Sequence, residues 1–401
     1  MVSYSVYDGD NRVRRYGEAL AKNGYEVDAF ALWRVGHESL GELLNGVRVH
    51  RIQGRIKNEK NKFDYLWRLL AFFLRSLWHV TRENWKRPYD LVHVHSVPDF
   101  EVFAAVFAKL SGAKVILDIH DIVPEFYASK FQVTADSLVF KSLVGMERTS
   151  TWFADHVITS NHIWEERLIA RSVPRTKVTA IINYPDMRVF RRRGRTRNDR
   201  KAVMLYPGSL TYHQGVDLAV RAFARIQHEA PEAEFHIYGS GDQLESLKSL
   251  VAELGLRDRV LFKGSLVVEE LVGVMENADL GVVPKRGNGF GNEAFSTKIP
   301  EFMAMGVPVV IPNTAIDTYY FNDSVAKFFV AGDEMSLASA MLQMIRDAGM
   351  RERLARNAIS FVQDFSWEKN QAIYLDVVRH LVEGRRPQAA GVAAPSTRNS
   401  E

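Results

Sequence analysis

Two carboxylates with seven residues between them, Glu293 and Glu301, concentrate the chemistry of this chain. They lie in the stretch 292–310, NEAFSTKIPEFMAMGVPVV. Ser296 and Thr297 are residue types that cap a helix start, and Pro300 falls in a first turn that needs no N–H from it. Gly306 suits the residue just past a helix end, Pro308 cannot continue the helix, and the apolar run 307–311 reads as a buried strand. The spacing therefore predicts a short helix whose N-terminus faces a loop bearing Glu293, with Glu301 on the helix flank. Free N–H groups and the positive end of a helix dipole attract an anion such as a diphosphate. An ionised carboxylate only accepts hydrogen bonds and has room for several. Glu301 can thus take both hydroxyls of a ribose diol, and Glu293 can hold a sugar hydroxyl. The plainer use of the same residues is a capped surface helix with two solvated glutamates.

A second polar set falls at strand ends. His93 and His95 close a predicted strand at 90–95, and His120 and Asp121 follow another at 114–119. In open α/β sheets ligands bind beyond the carboxyl ends of the strands, which is where His120 stands. Asp121 reads equally as a capping or orienting group. A metal site built from His93, His95, His120 and Asp121 is an alternative use, although none of them has the i, i+4 spacing of helical ligands.

The elements that must position these groups alternate. Strands are expected at 2–6, 25–32 and 47–52 with a helix over 12–23, the pattern of a parallel sheet. Asp8, Gly9 and Asp10 form the first strand–helix loop. A second alternation begins at 202. A strand at 203–206 leads to Gly208, Ser209 and a helix from His213, and one at 234–238 ends in Gly239-Ser240-Gly241. Gly-x-Gly after a strand lets backbone approach a ligand. Strands at 260–263 and 279–283 lead to Gly264-Ser265-Leu266 and to Lys285-Arg286. A last helix is expected over 365–382, and the Ala/Pro/Ser-rich 385–401 reads as disordered.

The most hydrophobic helical stretch is 62–84. At helical spacing Arg68, Arg75 and His79 share one stripe, while Trp67, Phe72, Phe73 and Trp78 occupy the others. Two readings stay open. One is a helix packed on the sheet with its basic edge to water; the other is an interfacial helix touching anionic lipid. The basic stretch 191–201 reads as a solvated linker or as a contact for anionic headgroups. The 401 residues suffice for two domains, contain no cysteine and therefore no disulfide, and carry a formal charge of only +4, which does not argue for a nucleic-acid partner. No secretory signal is visible at the start, and no apolar run reaches the length of a membrane span.

The glutamate stretch resembles the donor-site signature of retaining glycosyltransferases of family four, which have the GT-B fold. Glu293, Glu301 and the tail Phe302 to Val310 match its two glutamates and its ending. In register, Ala294-Phe295-Ser296 occupies the family's Gly-Phe-Gly positions, so Gly289-Phe290-Gly291 is only a lead-in. The HDIVPE run at 120–125 and the YPGSL run with the following HQG agree with the family. Asn183-Tyr184-Pro185-Asp186 resembles its Asn-Gly-Val-Asp at the domain junction.

The resemblance implies an α/β chain of two Rossmann-like domains facing each other across a cleft. Residues 1–183 would form the acceptor side, with a C-terminal helix 366–384 packed back on it, and 184–365 the nucleotide-sugar domain. It nominates His120 and Glu293 as catalytic, and Asp8, Gly9 and Asp10 for the acceptor. For the donor it nominates Gly208, Ser209, His213, Gln214, Gly239, Gly264, Ser265, Leu266, Lys285, Arg286, Phe295, Ser296, Thr297, Lys298 and Glu301. It implies no metal and no cofactor, with a nucleotide-diphosphate sugar as donor substrate. The acceptor would be a glycan or a lipid-linked sugar, and the anomeric configuration would be retained. The location would be cytoplasmic, at the inner face of the plasma membrane if 62–84 meets anionic lipid. A nucleotide-sugar epimerase or hydrolase of the same architecture, and a non-catalytic interaction protein, are the alternatives. One departure is informative. The family places Arg and Lys, five apart, after the second domain's first strand to meet the diphosphate; here those positions are Ser209 and Gln214. Lys285, Arg286 and Lys298, with His213, are the side chains that could restore the charge.

Overall fold

Runs of branched and aromatic residues alternate with amphipathic stretches along the chain, and the runs become parallel strands. The computed structural model describes residues 1–34, 41–55, 62–131 and 133–384. The expected disorder of 385–401 lies outside them. The chain divides into two compact units: Met1–Asn183 together with the last helix from Asn370, and Tyr184–Lys369.

In the first unit eight strands form one sheet: β1 (Val2–Val6), β2 (Val27–Arg34), β3 (Gly41–Leu44), β4 (Val47–Arg55), β5 (Leu91–His95), β6 (Lys114–Ile119), β7 (His156–Thr159) and β8 (Val178–Ala180). Their order is β3-β4-β2-β1-β5-β6-β7-β8. The chain thus starts mid-sheet, runs out one way, returns beside β1 as β5 and runs out the other way. The order reverses between β1 and β5, and that reversal opens a crevice beyond their carboxyl ends. Only β3 runs antiparallel, to β4. It went unforeseen although its turn is the residue pair Asn45-Gly46, both at positive φ (48° and 86°), as a tight hairpin requires.

The hydrophobic helix spans Lys62–Lys86. It turns Leu69, Phe72, Ser76, Val80 and Asn84 inward. The basic edge keeps Arg75 exposed and Arg68 and His79 half-exposed, and it also touches the sheet. Arg75 Nη1 donates to Ile52 O and Gln53 Oε1 (3.3 and 3.2 Å), Gln53 donates to Arg68 O, and His79 packs near Phe30. That stripe therefore leans on the sheet edge. The outward face is the apolar one: Trp67, Leu74, Trp78 and Trp85 are 70, 59, 55 and 81 % exposed. Among the described residues, no helix is long and apolar enough to cross a membrane.

The second unit holds a six-stranded, all-parallel sheet: β9 (Ala202–Pro207), β10 (Ala233–Tyr238), β11 (Val260–Phe262), β12 (Leu280–Val282), β13 (Val309–Pro312) and β14 (Lys327–Phe329). Their order is β11-β10-β9-β12-β13-β14, with the reversal between β9 and β12. Val216–Ile226 covers one face, burying Phe223 against Phe235 of β10. Each such ring contributes about 1.5–3 kcal/mol of burial. The basic stretch at 191–201 is strapped down rather than free. Arg195 and Arg197 pair with Asp279, and Asn277 Oδ1 accepts from the amides of Thr196 and Arg197 (3.0 and 2.9 Å).

Candidate functional site

Four loops of the second unit leave the carboxyl ends of β9, β10, β11 and β12. Three of them are knit by their backbones. Gly208 N donates to Tyr238 O, Leu210 N to Ser240 O and Gly239 N to Gly264 O, at 2.8 to 2.9 Å. The reading of Gly239 as a ligand contact changes accordingly: a Cβ there would overlap the Gly208 carbonyl, so the glycine serves loop-on-loop packing. Ser265 Oγ donates to Ser240 Oγ (3.1 Å) in the same knot, with Leu266 just beyond it.

Glu293 closes a one-turn helix, Phe290–Glu293, and Glu301 lies in the first turn of Lys298–Ala304. Gly306, at φ +65°, ends that helix as expected, with Val307 N donating back to Phe302 O. The expected caps do not form. Thr297 already has helical dihedrals (φ −62°, ψ −24°), so its hydroxyl cannot reach the amides that an extended cap residue would serve. Ser296 Oγ is buried with no hydrogen-bond partner among the described residues. Phe295 packs edge-on to Tyr320 (5.1 Å between centroids).

With the helix only seven residues long, the main positive charge here is Lys298 itself. Its Nζ donates to Gln214 Oε1 (3.0 Å), and Tyr206 Oη reaches the same oxygen (3.2 Å) while donating to Ser209 O (2.7 Å). Gln214 Nε2 in turn donates to His213 Nε2 (3.1 Å). Gly208, at φ +145°, leaves the space that Lys298 fills; a Cβ would overlap its Cε. Burial pulls the Lys298 amine down to about 8, the charge of Glu301 opposing. Lys285 and Arg286 are placed otherwise than expected. Lys285 is 3 % exposed, its Nζ 2.9 Å from Asp317 and donating to Ala294 O (2.8 Å). Burial lowers its pKa and Asp317 opposes. Arg286 pairs with Asp217 (2.6 Å) and lies over the Tyr212 ring. Both cations brace the loops.

In the first unit the crevice at the β1/β5 reversal gathers a charged cluster. Asp118 is fully buried at the end of β6, and Arg12 grips both its oxygens (2.8 and 2.9 Å). His120 Nε2 and His95 Nδ1 each lie 3.2 Å from Asp118 Oδ2. Asp10 is an N-cap, its Oδ1 accepting from the amides of Arg12 and Val13 (3.1 and 3.2 Å). Asp8 is exposed with Arg51 3.4 Å away, and Gly9 is exposed beside it. The ligand-type atoms of His93, His95 and Asp118 lie within 4.8 Å of one another. Of the four groups in the sequence reading this set keeps His93 and His95, leaves out His120 and Asp121, and adds Asp118. The fixed Arg12 charge occupying both carboxylate oxygens opposes a dication there.

Residues 9–183 match the Glycosyl transferase 4-like domain and residues 188–361 match the Glycosyl transferases group 1 family. The chain belongs to the group 1 glycosyltransferases. It is 28 % identical to an uncharacterised glycosyltransferase of Methanocaldococcus jannaschii, over 88 % of each chain. It is 26 % identical to the D-inositol 3-phosphate glycosyltransferase of Acidothermus cellulolyticus, over 94 % of this chain and 86 % of that one. Sucrose-phosphate synthase from Thermosynechococcus elongatus has the same fold, with a TM-score of 0.78 at 21 % identity over 96 % of this chain and 99 % of that one. The two parallel-sheet units are thus those of the GT-B fold.

For this glycosyltransferase the structure brings Ser209, His213, Gln214 and Lys298 into one hydrogen-bonded group through Tyr206. Tyr206, Asp118 and Arg12 were not singled out from the sequence. Asp118 and His120 are two apart at a strand end, a spacing that puts both on one face, so the sequence held a signal for the first of them. Nothing local marks Arg12, whose partner is 106 residues away.

Proposed function

We propose that this glycosyltransferase moves a sugar from a nucleotide-diphosphate sugar to a hydroxyl of a glycan or lipid-linked acceptor, with retention of anomeric configuration. The observation that carries the reading is the Lys298 ammonium held over Gly208 by Gln214, within reach of the Glu301 charge. Lys298 meets the diphosphate in the place of the family's missing cations. Glu301 accepts from the ribose hydroxyls. Glu293 holds the donor sugar and faces the positive charge that develops at its anomeric carbon. The backbone amides at 296–298 add donors for the phosphate. His120 serves the donor sugar. The bond between the anomeric carbon and the phosphate oxygen breaks, the acceptor oxygen bonds to that carbon on the same face, and the acceptor proton passes to the leaving phosphate oxygen. With protein cations on the diphosphate, neither metal nor cofactor is needed.

The test is incubation of the purified chain with UDP- and GDP-sugars, with and without acceptor. Proton NMR then reads the anomeric configuration of the product, and a chelator arm reads metal dependence. Retained configuration and full activity in chelator are expected. Inversion overturns the retention reading, loss of activity restored by a divalent cation overturns metal independence, and product without acceptor favours an epimerase or hydrolase.

We also propose that the outward face of Lys62–Lys86 rests on anionic lipid, which places the enzyme at the cytoplasmic face of a membrane. The exposed tryptophans favour this: indole rings prefer the boundary between headgroups and hydrocarbon.

A further inference from the structure

We infer that Asp118 is the positioning residue of His120, fixing its ring so that Nε2 always carries a proton and Nδ1 is the nitrogen left to act. The inference rests on the reading of His120 as the group that serves the donor sugar. Asp118 is fully buried, and its carboxylate cannot turn. Arg12 Nη2 donates to Oδ1 (2.8 Å) and Arg12 Nε to Oδ2 (2.9 Å). Arg12 Nη1 donates to Ile181 O (2.7 Å), so the guanidinium is itself pinned at three points. His120 Nε2 meets Oδ2 at 3.2 Å.

An ionised carboxylate accepts and never donates, so the nitrogen facing it must bear hydrogen. The competing nitrogen is His95 Nδ1, 3.2 Å from the same oxygen and 3.1 Å from His120 Nε2. Two N–H bonds aimed at one oxygen from so close together repel, so the three atoms share one proton. It belongs to His120, because His120 is 21 % exposed and can carry a second proton, whereas no solvent reaches His95. Burial holds His95 down to about 4 and therefore neutral. The charge follows from the same geometry. Asp10 from the first loop and Asp118 favour the imidazolium. Arg12 from the first helix opposes it, the neutral His95 of β5 offers only its bare Nδ1, and Asp121 follows directly in the chain. Burial pulls His120 down and Asp118 more than offsets it, so its pKa is raised. Nδ1 is then a donor below that pKa and a bare acceptor above it, while Nε2 keeps its proton throughout. Such a ring can switch from giving to receiving a hydrogen bond without turning.

Nitrogen-15 NMR of histidine-labelled full-length protein tests this without substrate. The His120 signals are assigned by their loss in His120→Gln. The expected result is an Nε2 that stays protonated across the titration and an Nδ1 that titrates with a midpoint above that of free histidine. Asp118→Asn should lower the midpoint by at least one pH unit and mix the tautomers, and Arg12→Gln should raise it. A wild-type ring with Nδ1–H in its neutral form overturns the inference, whatever the variants do. So does an unmoved midpoint in folded Asp118→Asn. The pH profile of sugar transfer is then compared with the same midpoint. If the tautomer is as inferred but transfer ignores the midpoint, the role of His120 in transfer fails and the positioning by Asp118 stands.

Discussion

Lys298 carries the sharpest consequences at the scale of single residues. Its amine is partly desolvated, and it donates to the neutral Gln214 Oε1 with the Glu301 charge close by. Lys298→Ala should therefore weaken nucleoside-diphosphate binding by about 1.5–3 kcal/mol, the value of a charge-assisted hydrogen bond, read by isothermal titration. With the amine titrating near 8, affinity should be full at pH 6.5 and fall through pH 8 to 9 as the cation is lost. A flat profile in wild type would count against the assignment. Gln214→Lys alone should harm binding, because it sets two ammonium groups about 3 Å apart. Joined with Lys298→Gln, it should recover much of the loss. The glutamates divide differently. Glu301→Ala should weaken binding of the free nucleotide by about 1.5–3 kcal/mol, whereas Glu293→Ala should leave it nearly intact and lower turnover. Equal loss of affinity in both contradicts these roles. Lys285→Ala should mainly destabilise the fold, since it strands Asp317 in the core.

At the scale of elements, the Lys62–Lys86 helix joins an exposed apolar face to a buried acid. Trp67, Leu74 and Trp78 replaced together by Ser should abolish flotation with anionic liposomes and leave nucleotide binding unchanged; unchanged flotation sinks the membrane reading. On the inner side, Glu101 is fully buried and burial pushes its carboxyl up to about 8, Ser76 of this helix opposing. Its folded-state pKa lies above the unfolded one, so the folded state keeps a proton that the unfolded chain releases. The stability contribution is complete below about pH 4.5 and is lost as pH rises to about 8, at roughly 1.4 kcal/mol per pH unit. Glu101→Gln should flatten the fall of the thermal midpoint between pH 5.5 and 7.5; equal slopes in both proteins would refute it. The helix itself was legible from its apolar content, and its direction of facing was not. Arg75 stays exposed, as composition suggests, but its guanidinium also donates to Gln53 and the Ile52 carbonyl at the sheet edge. Those partners belong to another segment.

For the whole molecule, ligand that binds only the native state raises stability by mass action, about 2.7 kcal/mol at one hundred times Kd. UDP or GDP should raise the melting temperature of wild type and raise that of Lys298→Ala less; equal shifts would separate Lys298 from the donor site. The Glu293/Glu301 spacing and the Gly306 stop were plain in the sequence, because helix ends and seven-residue intervals are local facts. So was the alternation of strand and helix that makes two parallel sheets, because its hydrophobic period is local too. The strand order was not, and it is the order reversal between β9 and β12, and between β1 and β5, that opens the crevices. Nor could the sequence say which cation stands at Gln214. Lys285, Arg286 and Lys298 are equal in charge. Burial beside Asp317 and pairing with Asp217 take the first two, so tertiary packing alone leaves Lys298 over Gly208. Composition and periodicity determine which groups are present and which elements carry them, whereas partners 84 and 106 residues apart meet only when the chain has folded.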